Sequence, residues 1–458
     1  MVQEIFLAKT LSLMMDSVYK TRSLKPKFNL ADIIPLYIYG VGLIAIWFCY
    51  ATGTSNFLLF IALFVITALT SLPEKALSPL SIFYGYYGAW YVIAPLFAER
   101  YQNVLHQTEY ILAFSMVYTV FGLGVLAIRL GQYIGAQIRI PKPSRYGRTF
   151  SIRIWILLLY ISSSLFVALI IGSTGGLEHW IAAPGDAFLN RAGSGVYVIL
   201  SHFSSITLAA LVGYYAYKNK KIMPLTIFII WLIVTSPVHG SKFQISLLLC
   251  LLFLPWLRSL KLFSIRSIIL YTAFLAIFFL GLYFRNLSWL TFNTVIPYAL
   301  NYFTALSNLA LSLRDFNPSL ITTFFLPFVK FLTPFGLENS NMYYDMNHML
   351  TDHYFPHAWE IRATEQWPVE TDLYLNFYFL GGLPLVFLYL FIVGAIYKLA
   401  SKSEQLGIWV VSILLILFMI SHLRGSLYNH TDFYMYPYMI IILIVLRRYS
   451  FEFTNEKK

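Results

Sequence analysis

The chain has 458 residues, of which 59% are apolar and only 11% charged. A soluble domain carries about 25% charged residues, so most of this surface faces something other than water. The net charge of +12 would suit a nucleic-acid binder if the cations were clustered, and their distribution along the chain shows that they are not.

The first ~28 residues do not form a standard signal peptide. Glu4, Lys9 and Asp16 interrupt the apolar stretch and no small-residue cleavage site follows, so an interfacial amphipathic helix is the expectation. A spanning helix needs about 20 predominantly apolar residues. About twelve candidate spans follow, over residues 31–50, 56–72, 76–97, 110–131, 154–172, 197–217, 222–237, 242–257, 267–284, 373–397, 406–421 and 433–447. The fold class expected is an all-α integral membrane protein. Its organisation divides into transmembrane helices over 1–284, one large loop over 285–372, and a last set of helices with a tail over 373–458.

With the N-terminus placed in the cytoplasm and sides alternating, 24 of the 32 Lys and Arg fall on the inner side. The eight on the outer side are Arg100, Arg191, Lys242, Arg285, Arg314, Lys330, Arg362 and Arg424. That is the positive-inside bias, with both termini cytoplasmic, and it removes nucleic acid as a partner. The acids and histidines run the other way: 13 of 20 carboxylates and all nine histidines lie outside or at the outer end of a span. Groups able to move protons are concentrated on that face. Cys49 and Cys250 form neither a disulfide framework nor a metal pair and read as small buried hydrophobes.

Two outer loops are long. Residues 173–196 are Gly-rich, and 285–372 make an 88-residue connection of a length usually reserved for function. Within it, 296–314 has helical periodicity, and Thr322–Phe335 is an apolar run too short to span, read as interfacial or re-entrant.

Arg191, Lys242, Arg285 and Arg424 are expected at helix ends at one membrane depth, where a charge is costly without a partner. The guanidinium fork matches phosphate oxygens, so these cations, with Arg314 and Arg362, are candidates to hold the diphosphate of a lipid-linked substrate. Snorkelling to headgroups or pairing with acids is the plainer alternative. The segment Asp345–Asp372 is the densest titratable cluster. His353 and His357 are four apart but separated by Pro356, which breaks the helix a metal pair would need; no metal is expected. His357, Glu365 or Asp372 is the candidate base acting on a carbohydrate hydroxyl. Tyr343, Tyr344, Tyr354, Phe355, Trp359 and Trp367 are interleaved with these charges, as suits a sugar site or an interfacial anchor.

Three features together resemble the Wzy-type O-antigen (oligosaccharide repeat unit) polymerases: the polytopic plan with one large late outer loop, the turn Gly240-Ser241-Lys242 opening a span, and Asp372-Leu373-Tyr374-Leu375-Asn376-Phe377 followed by Gly381-Gly382. Lys242 stands where arginine is more usual, and Tyr378 where a glycine would follow sooner. The resemblance implies a GT-C-like helical transferase of the bacterial inner membrane. Its reaction would move a glycan from undecaprenyl diphosphate onto the non-reducing end of a lipid-linked repeat unit at the periplasmic face. It further implies cations on the diphosphate, Tyr374 in the substrate site, an acid or histidine as base, no nucleotide sugar, no cofactor, and a chain-length regulator as a candidate partner beside membrane lipid. A flippase of the same lipid-linked oligosaccharide and an O-antigen ligase are the alternative readings.

Overall fold

The computed structural model describes residues 30–138, 151–182, 187, 195–239, 242–285, 291, 293–332, 343–360 and 365–451. The side chains of Lys242 and Arg285 lie outside the description. Among the described residues the chain is helical, with no strand beyond three isolated bridges. In chain order the helices are α1 (Leu30–Ala51), α2 (Phe57–Thr70) and α3 (Pro79–Tyr87), which runs through a π-helical stretch (Gly88–Ile93) into α4 (Ala94–Phe97). Then come α5 (Thr108–Gln137), α6 (Ile152–Ser173), α7 (Gly176–Ala182), α8 (Gly195–Asn219), α9 (Met223–His239), α10 (Lys242–Leu252), α11 (Leu254–Leu257) and α12 (Ile265–Arg285). The large loop contributes α13 (Val295–Asn301), α14 (Ala305–Asp315), α15 (Leu326–Leu332), α16 (Met346–Tyr354) and α17 (Pro356–Glu360). The chain closes with α18 (Val369–Phe377), α19 (Leu383–Lys402), α20 (Leu406–Leu423) and α21 (Asp432–Leu446).

Each of the twelve apolar segments expected from the sequence contains helix. Apart from shifts of one or two residues at the ends, three hold non-helical residues inside the expected bounds: 76–78, Phe253, and Tyr378–Phe379. Six helices are long and apolar enough to cross a membrane: Ile34–Ala51, Thr108–Gln137, Ile152–Ser173, Gly195–Asn219, Leu380–Lys402 and Leu406–Leu423. Shorter apolar helices, α2, α9 and α21 among them, pack beside these.

Helices α5 and α19 pack most intimately, and glycine makes that possible. A Cβ on Gly131 would stand 2.1 Å from the Phe391 carbonyl oxygen, and one on Gly394 would stand 2.3 Å from that of Ile128. With no hydrophobic drive between helices in lipid, such close backbone contact supplies the dispersion energy of the pair. A buried amide joins two helices: Asn56 donates to the Ile111 carbonyl (2.9 Å) and to Ser115 (3.0 Å), tying the start of α2 to α5.

Several of the described connections meet at two ends of the bundle. At one end Ala76 N–H donates to the Leu260 carbonyl (3.0 Å), Arg258 pairs with Glu404 (2.6 Å), Phe451 N–H donates to the Glu404 carbonyl (2.9 Å) and Lys402 donates to the Ile138 carbonyl (3.1 Å). At the other end Tyr101 donates to the Phe303 carbonyl (2.9 Å), Tyr86 to that of Leu423 (2.7 Å) and Asn347 to that of Arg424 (3.3 Å).

Two local expectations change. The apolar stretch expected to enter the membrane at residue 373 is broken: α18 is a separate helix ending at Tyr378 and Phe379, both left-handed (φ 50° and 64°), and the long apolar helix begins beyond them. Residues without glycine's freedom hold that conformation only when their surroundings fix it, and here Phe379 N–H donates to the Leu373 carbonyl at 2.7 Å. The periodic stretch 296–314 is two helices, α13 and α14, interrupted at Tyr302–Thr304.

Candidate functional site

The site is built around α18, which is buried along most of its length. Its sequence, VETDLYLNF, carries two carboxylates into the interior. Glu370 is 0% exposed, and its oxygens accept from the hydroxyls of Tyr87 (3.1 Å) and Tyr91 (3.5 Å). Those tyrosines come from the junction of α3 with the π-helical stretch. There Ala94 N–H reaches back to the Ala89 carbonyl, and Pro95 has no N–H to continue an α-helical ladder. Burial pushes the Glu370 carboxyl up to about 7, against the pull of the two tyrosine hydrogen bonds.

Asp372 is 2% exposed. One oxygen accepts from Asn376 Nδ2 (2.7 Å) and the other from the Leu427 N–H (3.0 Å). Burial again raises this carboxyl, to about 6, against the pull of those hydrogen bonds. Asn376 continues the chain of contacts: its Oδ1 accepts from the Thr323 N–H (2.7 Å) and its Nδ2 donates to Thr323 Oγ1 (2.8 Å). The hydroxyl of Tyr374 donates to the Phe316 carbonyl (3.1 Å). The Asp-Leu-Tyr-Leu-Asn-Phe motif is thus a clasp. It ties segment 316–323 of the large loop and the 425–428 turn to one short helix.

That turn follows Arg424, the C-cap of α20. The Arg424 Nε donates to Gln366 Oε1 (3.1 Å), which also accepts from the Trp90 indole (3.1 Å), and the guanidinium lies 5.7 Å from the Trp90 ring centroid. Its remaining N–H groups have no hydrogen-bond or carboxylate partner among the described residues. One residue away, Glu365 is half-buried, with Oε2 accepting from Thr304 (3.1 Å) and its backbone N–H donating to Thr351 (3.0 Å). The π-helical stretch, the start of α14, the extended segment 365–367 and the end of α20 thus meet here: Gln366 holds the arginine fork and the indole, and the neighbouring Glu365 is held by Thr304 and Thr351.

The other candidates are dispersed. Arg314 grips its neighbour Asp315 bidentately (2.8 and 2.9 Å) and is exposed. His357 is exposed on α17, while His353 belongs to α16, because Pro356 starts a new helix between them. Lys242 begins α10 and Arg285 ends α12. Arg191 and Arg362 lie outside the described residues, as does the N-terminal segment expected to be interfacial. Residues missed from sequence are Gln366, Trp90 and a buried pair in which His422 Nε2 meets Asp432 Oδ2 at 2.9 Å. Glu370 lies within the titratable cluster 345–372 but is not singled out from it by sequence.

An all-helical bundle with six spanning-length apolar helices defines the class of protein: it is a membrane protein. Comparison with known proteins finds no family model, no curated protein and no solved structure that matches the chain.

Proposed function

We propose that this chain is a polytopic glycosyltransferase of the O-antigen polymerase type, using lipid-diphosphate-linked oligosaccharide at the periplasmic end of the bacterial inner membrane. In this reading all twelve apolar helices cross the bilayer in a GT-C-like plan, with both termini in the cytoplasm. The observation that carries it is Arg424. Its Nε and one face are fixed by Gln366 and Trp90, and its outer N–H groups have no partner among the described residues. A partly buried fork with no carboxylate partner among the described residues is suited to a ligand that brings its own oxyanions.

The chemistry is a substitution at the anomeric carbon. The acceptor hydroxyl gives its proton to Glu365 while its oxygen forms the new glycosidic bond. The bond from the anomeric carbon to the diphosphate breaks, and the polyprenyl diphosphate leaves with the electron pair. Charge accumulating on that leaving group is what a preorganised guanidinium stabilises more in the transition state than before it. Asp372, Tyr374 and Asn376 position the loops that bear these groups. The related readings separate on loss of the protein in its host. Polymerase loss leaves single repeat units on lipopolysaccharide, flippase loss leaves none, and ligase loss leaves polymer on the lipid carrier. Either of the last two outcomes overturns the proposal.

A further inference from the structure

At the end of the bundle opposite Arg424, α8 stops in an unusual way. Lys220 is left-handed (φ 52°), Lys221 N–H donates back to the Ala216 carbonyl (3.0 Å) and Lys220 N–H to that of Tyr217 (3.3 Å). This is the hydrogen-bond pattern that normally ends a helix on glycine. A lysine occupies the glycine position, and a second lysine follows it.

Both lysines line a recess of about 470 Å³ whose walls include Tyr217 and Trp256, packed edge to face at 5.4 Å. Neighbouring cations are engaged: Arg258 with Glu404, Lys218 with the Tyr214 hydroxyl (3.1 Å) and Lys75 with the Ser259 carbonyl (3.3 Å). Lys220 and Lys221 are exposed, and their ammonium groups make no hydrogen bond or ion pair with the described residues. Directly beyond them α9 begins, and Met223, Ile227, Ile230 and Val234 are all exposed on it. Their spacing of four, three and four places them on one face, which makes an apolar track running away from the recess.

We propose that this recess holds the phosphate of an anionic phospholipid, with an acyl chain lying along the Met223–Val234 face of α9. Two ammonium groups supply the charge, the Tyr217–Trp256 pair supplies the interfacial aromatic wall, and the track supplies what a free phosphate could not use. The site is separate from the Arg424 site and does not depend on the reaction assigned to it.

The test is native mass spectrometry of the full chain in detergent, titrated with dioleoyl phosphatidylglycerol, with phosphatidylcholine of the same chains, and with inorganic phosphate. Phosphatidylglycerol should be preferred for the first bound lipid, and K220Q/K221Q should weaken it about thirtyfold, to the phosphatidylcholine level. R447Q, which removes a cation at the same end of the bundle that does not line the recess, should leave binding unchanged. M223S/V234S should weaken phosphatidylglycerol without altering any binding of inorganic phosphate. Equal binding of the two lipids, an unaffected K220Q/K221Q variant, or an R447Q loss as large as that of K220Q/K221Q would overturn the assignment. Displacement of the lipid by millimolar inorganic phosphate would show an anion site with no lipid specificity and would overturn it equally.

Discussion

The Nε of Arg424 donates to Oε1 of Gln366, and that oxygen is shared with the indole N–H of Trp90. The shared acceptor fixes the plane of the guanidinium while leaving its far edge to a ligand. Replacing the neutral amide by an acid pairs the guanidinium charge from inside and weakens its pull on an anionic ligand. Q366E is therefore expected to be as inactive as R424A, at least a hundredfold down, though folded. R424K keeps the charge, loses the fork and the Gln366 contact, and should fall about tenfold to a hundredfold. Chain-length ladders made by each variant in cells check the order.

Glu370 makes folding sensitive to pH. Burial pushes its carboxyl up to about 7 in the folded chain, against about 4.3 in an unfolded chain. The folded state holds the extra proton between those values, so stability falls as pH rises through that window and levels off above it. Asp372, raised to about 6, adds to the fall in the lower part of the window. Thermal unfolding in detergent from pH 6 to 8 should show a decline in the wild type that E370Q flattens. A wild-type profile with no slope there contradicts the account of Glu370.

The clasp should be cooperative. N376A leaves the buried Thr323 N–H and one Asp372 oxygen without partners, at a cost of about 1–3 kcal/mol each. T323A removes part of the same network. The double variant should then be less destabilised than the sum of the two, because the contacts are shared. Additive losses in a denaturation series would show that the two residues act separately.

Close packing of α5 on α19 predicts a sharp positional contrast. G131A places a methyl group where the Phe391 carbonyl stands, whereas a Cβ at Gly40 meets nothing within 4 Å. G131A should lower the yield of monodisperse protein on size exclusion, and G40A should not.

Much of the bundle was legible in the sequence because lipid enforces it. A spanning segment has to be long, apolar and helical, so the runs of hydropathy located the six helices that are long and apolar enough to span. The break at Tyr378–Phe379 was not legible, because two aromatic residues in left-handed conformation are fixed by contacts with Leu373 and Ser319 and carry no local signal. The same limit applies to the site. Arg424 stood out as a cation at a helix end, and Glu365 as one acid in a dense cluster. Nothing local set Glu370 apart from Asp372 or Glu360, since burial between Tyr87 and Tyr91 comes from a π-helical stretch nearly 280 residues earlier. Gln366 and Trp90 escaped for a related reason: neither is ionisable, and their importance lies in what they hold.

The most direct test is reconstitution. Purified full-length protein in liposomes, supplied with undecaprenyl-diphosphate repeat units and no nucleotide sugar, should yield a ladder of lipid-linked oligomers, and the R424A variant should yield none. A folded wild-type protein that makes no oligomer from the host's own repeat unit, or an R424A protein that makes the wild-type ladder, would contradict the account.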